Sequence, residues 1–178
     1  MPAITADFDR RQVGRLFLDD EQTWGGMRYR VNLRLGEELP PVQHVSAAHC
    51  IGFDGDRVVL AKHVDREWTI PGGRIEPGET PLECLVREAR EEAGLVIADP
   101  RVVAHNRLEL LDEAPDGWPY PFPAYQVFYV ARVVELGEIT ALDECTEARL
   151  FTVEEALAAP GWPREHPEFA AALLGLRP

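Results

Sequence analysis

Seven residues between Gly73 and Gly94 constrain this chain more than any other feature. Gly73, Glu79, Arg87, Glu88, Glu91, Glu92 and Gly94 stand in the order G-x5-E-x7-R-E-x2-E-E-x-G. Identities that each occur at roughly 5–7% would fall into this register by chance with a probability on the order of 10⁻⁶, so the spacing carries meaning. The second half of the stretch predicts a helix from Thr80 to Ala93. Thr80 is suited to cap it, Pro81 to open it, and Glu83 completes a capping box three residues on. Gly94 supplies a left-handed stop. Leu82, Leu85, Val86, Ala89 and Ala93 recur at helical spacing and are expected to form the buried stripe. Glu88, Glu91 and Glu92 lie at i, i+3 and i+4, so their carboxylates share another face. Like charges at that spacing oppose one another, and hard divalent cations with a taste for oxygen reverse the sign. The same acids also pair with arginine along the helix, as in Glu83–Arg87 and Arg87–Glu91, which suits a solvated face. That reading leaves Gly73, Glu79 and Gly94 unexplained.

The preceding loop, Pro71 to Glu79, holds three glycines and two prolines. Such a composition fixes a tight, irregular path on which backbone atoms approach a metal or phosphate closely. Taken together, Gly73 to Leu95 resembles the Nudix box. One apolar position departs from the usual pattern: Ala89 stands where that family mostly carries Leu, Val or Ile. The resemblance implies a Nudix fold, an α/β architecture with a mixed β-sheet sandwiched between α-helices. It implies a hydrolase that cleaves the pyrophosphate linkage of a nucleoside diphosphate derivative with Mg²⁺, Mn²⁺ being a substitute. It further implies Glu88, Glu91, Glu92 and the Gly73 carbonyl as metal ligands, Glu91 and Glu92 as catalytic, and Glu79, Arg87 and Gly94 as structural members of the motif. Relatives often use one more glutamate outside the box as base or extra ligand. Glu147 matches best by offset and Glu144 nearly as well, both in the segment Leu142 to Phe151. The alternative for both is a solvated loop acid.

The whole chain bounds the rest. At 178 residues and 46% hydrophobic content, one domain with a full core is expected. No apolar run reaches the length of a bilayer span, and the N-terminus has neither a basic start nor an apolar stretch, so a cytoplasmic protein is expected. Cys50, Cys84 and Cys145 have no zinc or disulfide spacing, which fits a reducing compartment. The net charge of −13 speaks against general nucleic-acid binding, though not against nucleotides that arrive with metal.

Met27, Tyr29, Val31, Leu33 and Leu35 alternate with Arg28, Arg30, Asn32 and Arg34, a strand with one apolar and one basic face. Val13–Leu18 is expected to pair with it across a turn region at Asp19–Gly26. This N-terminal β-hairpin defines an extension over residues 1–42, ahead of a Nudix domain at 43–178. Its apolar face needs a cover, either the chain's own core or a second copy in a homodimer. Its basic face is either a phosphate contact or an edge guarded by charge. Further strands are expected at Val45–Phe53, Arg57–Lys62, Trp68–Ile70, Val102–Leu111, Tyr125–Val134 and Ala148–Phe151. Helices are expected at Val153–Ala159 and Glu165–Leu174. The aromatic–proline run Trp118 to Tyr125 is either a stacking loop or a stiff connector. Candidate substrate contacts are Trp68, Arg74, Lys62, Tyr120 and Phe122, and His63 is the histidine nearest the expected cleft. Candidate substrates are a nucleoside triphosphate, a nucleotide sugar, ADP-ribose or a dinucleoside polyphosphate. The rival readings are diphosphate isomerisation, for which no Cys–Glu pair is recognised, and a non-catalytic nucleotide-binding regulatory module, which would be expected to lose box carboxylates.

Overall fold

A computed structural model describes residues 14–24, 26–114, 116–117, 121–165 and 167–176. Nine strands form one mixed sheet. They are β1 (Leu16–Trp24), β2 (Met27–Leu35), β3 (Val45–Asp54), β4 (Arg57–His63), β5 (Glu67–Thr69), β6 (Gly72–Arg74), β7 (Leu95–Leu110), β8 (Ala124–Leu136) and β9 (Cys145–Thr152). The main path runs β1-β2-β7-β8-β3-β4-β5, with β6 on β3 and β9 on β4. The β3–β8 pair is parallel, and the other pairs are antiparallel.

Helix α1 (Pro81–Ala93) covers one face. Its Cys84, Leu85, Ala89 and Ala93 pack on Ala48, Cys50, Val59, Ala61, Val127 and Tyr129. On the opposite face, Ile51, Phe53, Leu60, Phe128 and Val130 meet helices α2 (Val153–Ala158) and α4 (Pro167–Leu174), the latter through Phe169, Leu173 and Leu174. Adjacent strand residues point to opposite faces, so Cys50 belongs to one core and Ile51 to the other. The expected sheet between helices is therefore present. No helix among the described residues is long and apolar enough to cross a membrane.

Three boundaries differ from expectation for identifiable reasons. Strand β1 continues to Trp24 and β2 begins at Met27, with Gly26 at φ 80°, so Asp19–Trp24 is strand and not turn. Strand β7 starts at Leu95, seven residues before Val102, because a bulge between Ala98 and Arg101 lets Pro100 sit in the strand without a ladder hydrogen bond. At the C-terminal end, α3 (Trp162–Glu165) stands ahead of α4, so helical structure begins before the expected Glu165.

The hairpin is not a separate body. Strand β2 pairs with β7 from Tyr29↔Leu110 to Leu35↔Ala104. Tyr29, Val31, Leu33 and Leu35 are buried within the chain, which removes the reason given above for covering them with a second copy. The basic face of β2 is occupied by local partners: Arg28 bonds Asp112 at 2.9 Å and Arg30 bonds Asp19 at 3.0 Å.

The buried stripe of α1 is also a correction. Leu82 and Val86 are 48% and 47% exposed, whereas Glu88 and Glu92 are 8% and 2% exposed. The helix is turned so that two carboxylates, not two aliphatic side chains, face the sheet. Hydrophobic patterning loses here to the positioning of charge.

Candidate active site

Local chemistry sets α1 in place. The Thr80 hydroxyl accepts from Glu83 N at 3.3 Å, and the Glu83 carboxylate accepts from Thr80 N at 2.8 Å. Gly94 ends the helix at φ 65°. Beside it, β6 runs along β3, pairing Ala48 with Gly73 and His49 with Gly72. A Cβ on Gly73 would collide with the Glu88 carboxylate, so glycine alone admits that side chain against the strand. The Gly72 amide donates to Glu92 Oε2 at 2.8 Å.

Arg87 is the hub. Its Nε and Nη2 donate to both oxygens of Glu79 at 2.8 and 3.0 Å, a bidentate pair. Its Nη1 donates to Glu88 Oε1 at 2.7 Å and to Glu91 Oε2 at 3.1 Å, and Nη2 also reaches the Arg74 carbonyl at 3.1 Å. Glu79 in turn accepts from Glu76 N at 3.0 Å. One guanidinium thus ties the loop to the helix and gathers three of the motif's acids. The Arg87 bond holds the Glu79 carboxyl below its usual range.

The two buried acids behave in the opposite way. Burial is the first cause of the upward shift at Glu92, to about 7, offset by the Gly72 amide and Arg66 and reinforced by Glu88 and Glu144. Glu88 is also raised by burial, against the pull of Arg87. Among the described residues no three His, Cys, Asp or Glu side chains converge on one point as a finished metal cage. Glu88 and Glu91 lean on Arg87 instead. The donor set nevertheless fits a hard divalent cation: oxygen ligands, like-charged and partly desolvated, beside a glycine strand that leaves no room for any other side chain.

The two candidate outer glutamates differ. The carbonyl of Glu91 accepts from Thr140 N and Ala141 N at 3.0 and 2.9 Å, which draws the loop after β8 onto the end of α1. In that loop the Glu144 carbonyl accepts from Val64 N at 2.9 Å, and the Glu144 charge acts on Glu88, Glu92 and His63. Glu147 lies further along β9, exposed and opposite Lys62.

The structure brings His63 and the Arg74 backbone near this group and scatters Lys62, Trp68 and Phe122. Lys62 pairs with Glu67 at 4.0 Å. Trp68 is buried edge-on against Phe151, 4.8 Å between centroids, beneath Arg149 at 5.0 Å, and so is a core residue. Arg74 is exposed on β6. Phe122 packs near Tyr29, 6.3 Å between centroids. Tyr120 lies outside the described residues. Sequence reasoning missed Arg66, whose charge acts on Glu92, His49 and His63, and Asn106, buried in β7. Asn106 had a signal, an amide at an inward register of an apolar strand. Arg66 had none beyond its place in the turn before the box.

Comparison with known proteins follows the same outline. The family model for the NUDIX domain matches residues 43–173. The NAD-capped RNA hydrolase NudC of Mycobacterium tuberculosis is 33% identical over 141 residues, covering 75% of this chain and 41% of that protein. The RNA pyrophosphohydrolase of Ruthia magnifica is 31% identical over 86 residues, covering 48% and 44%. The chain thus spans less than half the length of these relatives. In three dimensions the pyrophosphohydrolase BsRppH of Bacillus subtilis superposes with a TM-score of 0.57 at 21% identity, covering 75% of this chain and 77% of its own. A NUDIX hydrolase from Nitrosomonas europaea gives 0.52 at 19% identity, covering 75% and 90%. The hairpin β1–β2 lies outside the matched residues, and from Gln43 to Leu173 the chain belongs to the Nudix family.

Proposed function

We propose that this protein is a Mg²⁺-dependent pyrophosphohydrolase of a small nucleoside diphosphate derivative. The observation that carries the proposal is the burial of Glu88 and Glu92 against Gly72–Gly73. Two adjacent like-charged carboxylates facing a sheet oppose folding unless they serve a cation. Glu88, Glu91, Glu92 and the Gly73 carbonyl are the residues that would hold it. A bound Mg²⁺ would neutralise charge on the pyrophosphate oxygens and lower the pKa of a bound water.

Within this reading the protein's own groups divide the work. Arg87 positions: it aligns Glu88 and Glu91 and locks the loop through Glu79. Glu144 is the better-placed base, since its charge reaches Glu88 and Glu92 while Glu147 faces Lys62. It takes a proton from the attacking water as the water oxygen bonds to phosphorus. The bridging P–O bond breaks, the oxygen staying with the departing phosphate, and a nucleoside phosphate and the phosphorylated remainder are released. The relatives are named as a hydrolase of NAD-capped RNA and as an RNA pyrophosphohydrolase. A net charge of −13 favours a small nucleotide over a polymer here. A panel of ADP-ribose, NAD, a dinucleoside polyphosphate and nucleoside triphosphates, assayed with Mg²⁺ and with EDTA, tests the reading. Metal-dependent release of a mononucleotide from at least one is expected. Nucleotide binding without any turnover would leave a regulatory module instead.

A further inference from the structure

On the sheet face opposite α1 lies a cavity of about 280 Å³, lined by His49, Arg66, Asn106, Gln126, Phe128 and Trp162 among others. It is just below the ~300–1,000 Å³ of small-molecule sites, so it suits a single ring system. Its floor contains an unfinished hydrogen-bond network. Asn106 is 6% exposed and donates from Nδ2 to Gln126 Oε1 at 3.1 Å. Its own Oδ1 is buried and has no partner among the described residues. A buried amide oxygen without a donor costs free energy unless a ligand supplies one.

The pair has a definite polarity. The Asn106 oxygen, an acceptor, is the deep end. The Gln126 amide nitrogen, a donor, is outside this bond and lies nearer the rim, since Gln126 is only half-buried. Aromatic rings form part of the wall, beside Leu33 and Ile70: His49 stacks on Phe128 with 5.0 Å between centroids, and Phe169 stands edge-on to Phe128 at 5.2 Å. The cavity also adjoins the acidic site. Gly72 donates to Glu92 on one side, and on the other a Cβ there would lie 2.5 Å from His49 Nδ1. Arg66 lines the cavity, and its charge reaches Glu92.

We infer that this cavity is a nucleobase pocket whose Asn106–Gln126 amide pair selects a 6-aminopurine, adenine, over its 6-keto counterpart. The exocyclic amino group is the part of the base that protrudes furthest, so it enters deepest and donates to Asn106 Oδ1. The neighbouring ring nitrogen accepts from Gln126. The donor–acceptor complement is the one that a single Asn or Gln amide offers adenine, here divided between two side chains. A keto oxygen in the same place would face the Asn106 oxygen, acceptor against acceptor. This inference rests on the proposed nucleotide hydrolase for its place beside the phosphates, but its own evidence is the amide pair and the cavity.

Binding of AMP and of IMP to the intact protein in EDTA, measured by calorimetry, tests it without hydrolysis or metal. AMP is expected to bind about tenfold or more tightly than IMP, the scale set by one unmet buried hydrogen bond. Asn106→Leu is expected to erase that ratio. Equal affinities, or IMP the tighter, overturn the assignment, and this comparison on the unaltered protein does not depend on any variant folding. An unchanged ratio in folded Asn106→Leu also overturns it. Parallel assays of the full substrate panel above with Mg²⁺ separate the two claims. AMP selectivity without hydrolysis keeps the pocket and sinks the hydrolase, whereas hydrolysis with no AMP preference sinks the pocket and keeps the hydrolase.

Discussion

The two faces of the sheet solve opposite problems. On the α1 face, Arg87 offers its donors to Glu79, Glu88, Glu91 and the Arg74 carbonyl, and Gly72 serves Glu92, so the acids are held with protein partners. On the α4 face, Asn106 shows a buried oxygen with no donor among the described residues. The first face has a surplus of charge held in tension, and the second a polar group left open. The lesson is that a buried site announces itself in two ways, by acids crowded together at the cost of burying charge and by a polar atom left without a donor.

The largest expected effect breaks the charged face. Glu92→Gln should keep the fold and lower kcat by orders of magnitude, because an oxygen ligand is lost while helix packing survives. Steady-state kinetics beside a circular-dichroism melt checks both halves. Glu144→Gln should lower kcat by about 10²–10⁴-fold with little change in KM, as for loss of a general base, and Glu147→Gln should do far less. The reverse order would move the base to β9.

Packing predictions sharpen the rotation of α1. Leu85→Ala should destabilise by about 2–5 kcal/mol, since Leu85 is fully buried. Leu82→Ala, at an exposed position, should change stability by no more than about 0.5 kcal/mol. Equal losses in urea melts would mean that the helix face is misassigned.

A gradual effect is read from pH. The folded Glu92 carboxyl sits at about 7, above its ordinary value of 4.5, so the folded state binds its proton more tightly than the unfolded state does. The metal-free protein should therefore be most stable below about pH 4.5 with respect to this group, and should lose up to about 3 kcal/mol as pH rises through 7. Glu92→Gln should flatten that part of the curve.

How far the sequence announced all this depends on the range of the interaction. The capping box, the Gly94 stop and the i, i+3, i+4 carboxylates are local, and spacing alone revealed them. The sheet between helices followed from strand patterning together with the family resemblance. The direction α1 faces was not legible, because Leu82 and Val86 compete with Glu88 and Glu92 for the inward side and only the tertiary partners Gly72, Gly73 and Arg87 decide. Glu144 and Arg66 reach the site through a loop and a turn fastened by long-range backbone hydrogen bonds, such as Val64 N to the Glu144 carbonyl, which no single-chain pattern encodes. Strand β7 begins ahead of Val102 because a bulge absorbs Pro100, a residue that a regular strand excludes.

The central claim is that Glu88 and Glu92 are turned inward to bind a divalent cation. Titration of Mn²⁺ into the protein, followed by the paramagnetic signal of the free ion and without any substrate, addresses it most directly. The account predicts saturable binding by the wild type, weakened about tenfold or more in Glu92→Gln and in Glu88→Gln, and unchanged in Glu147→Gln. Wild-type affinity in both Glu88→Gln and Glu92→Gln, with the fold intact, would contradict it.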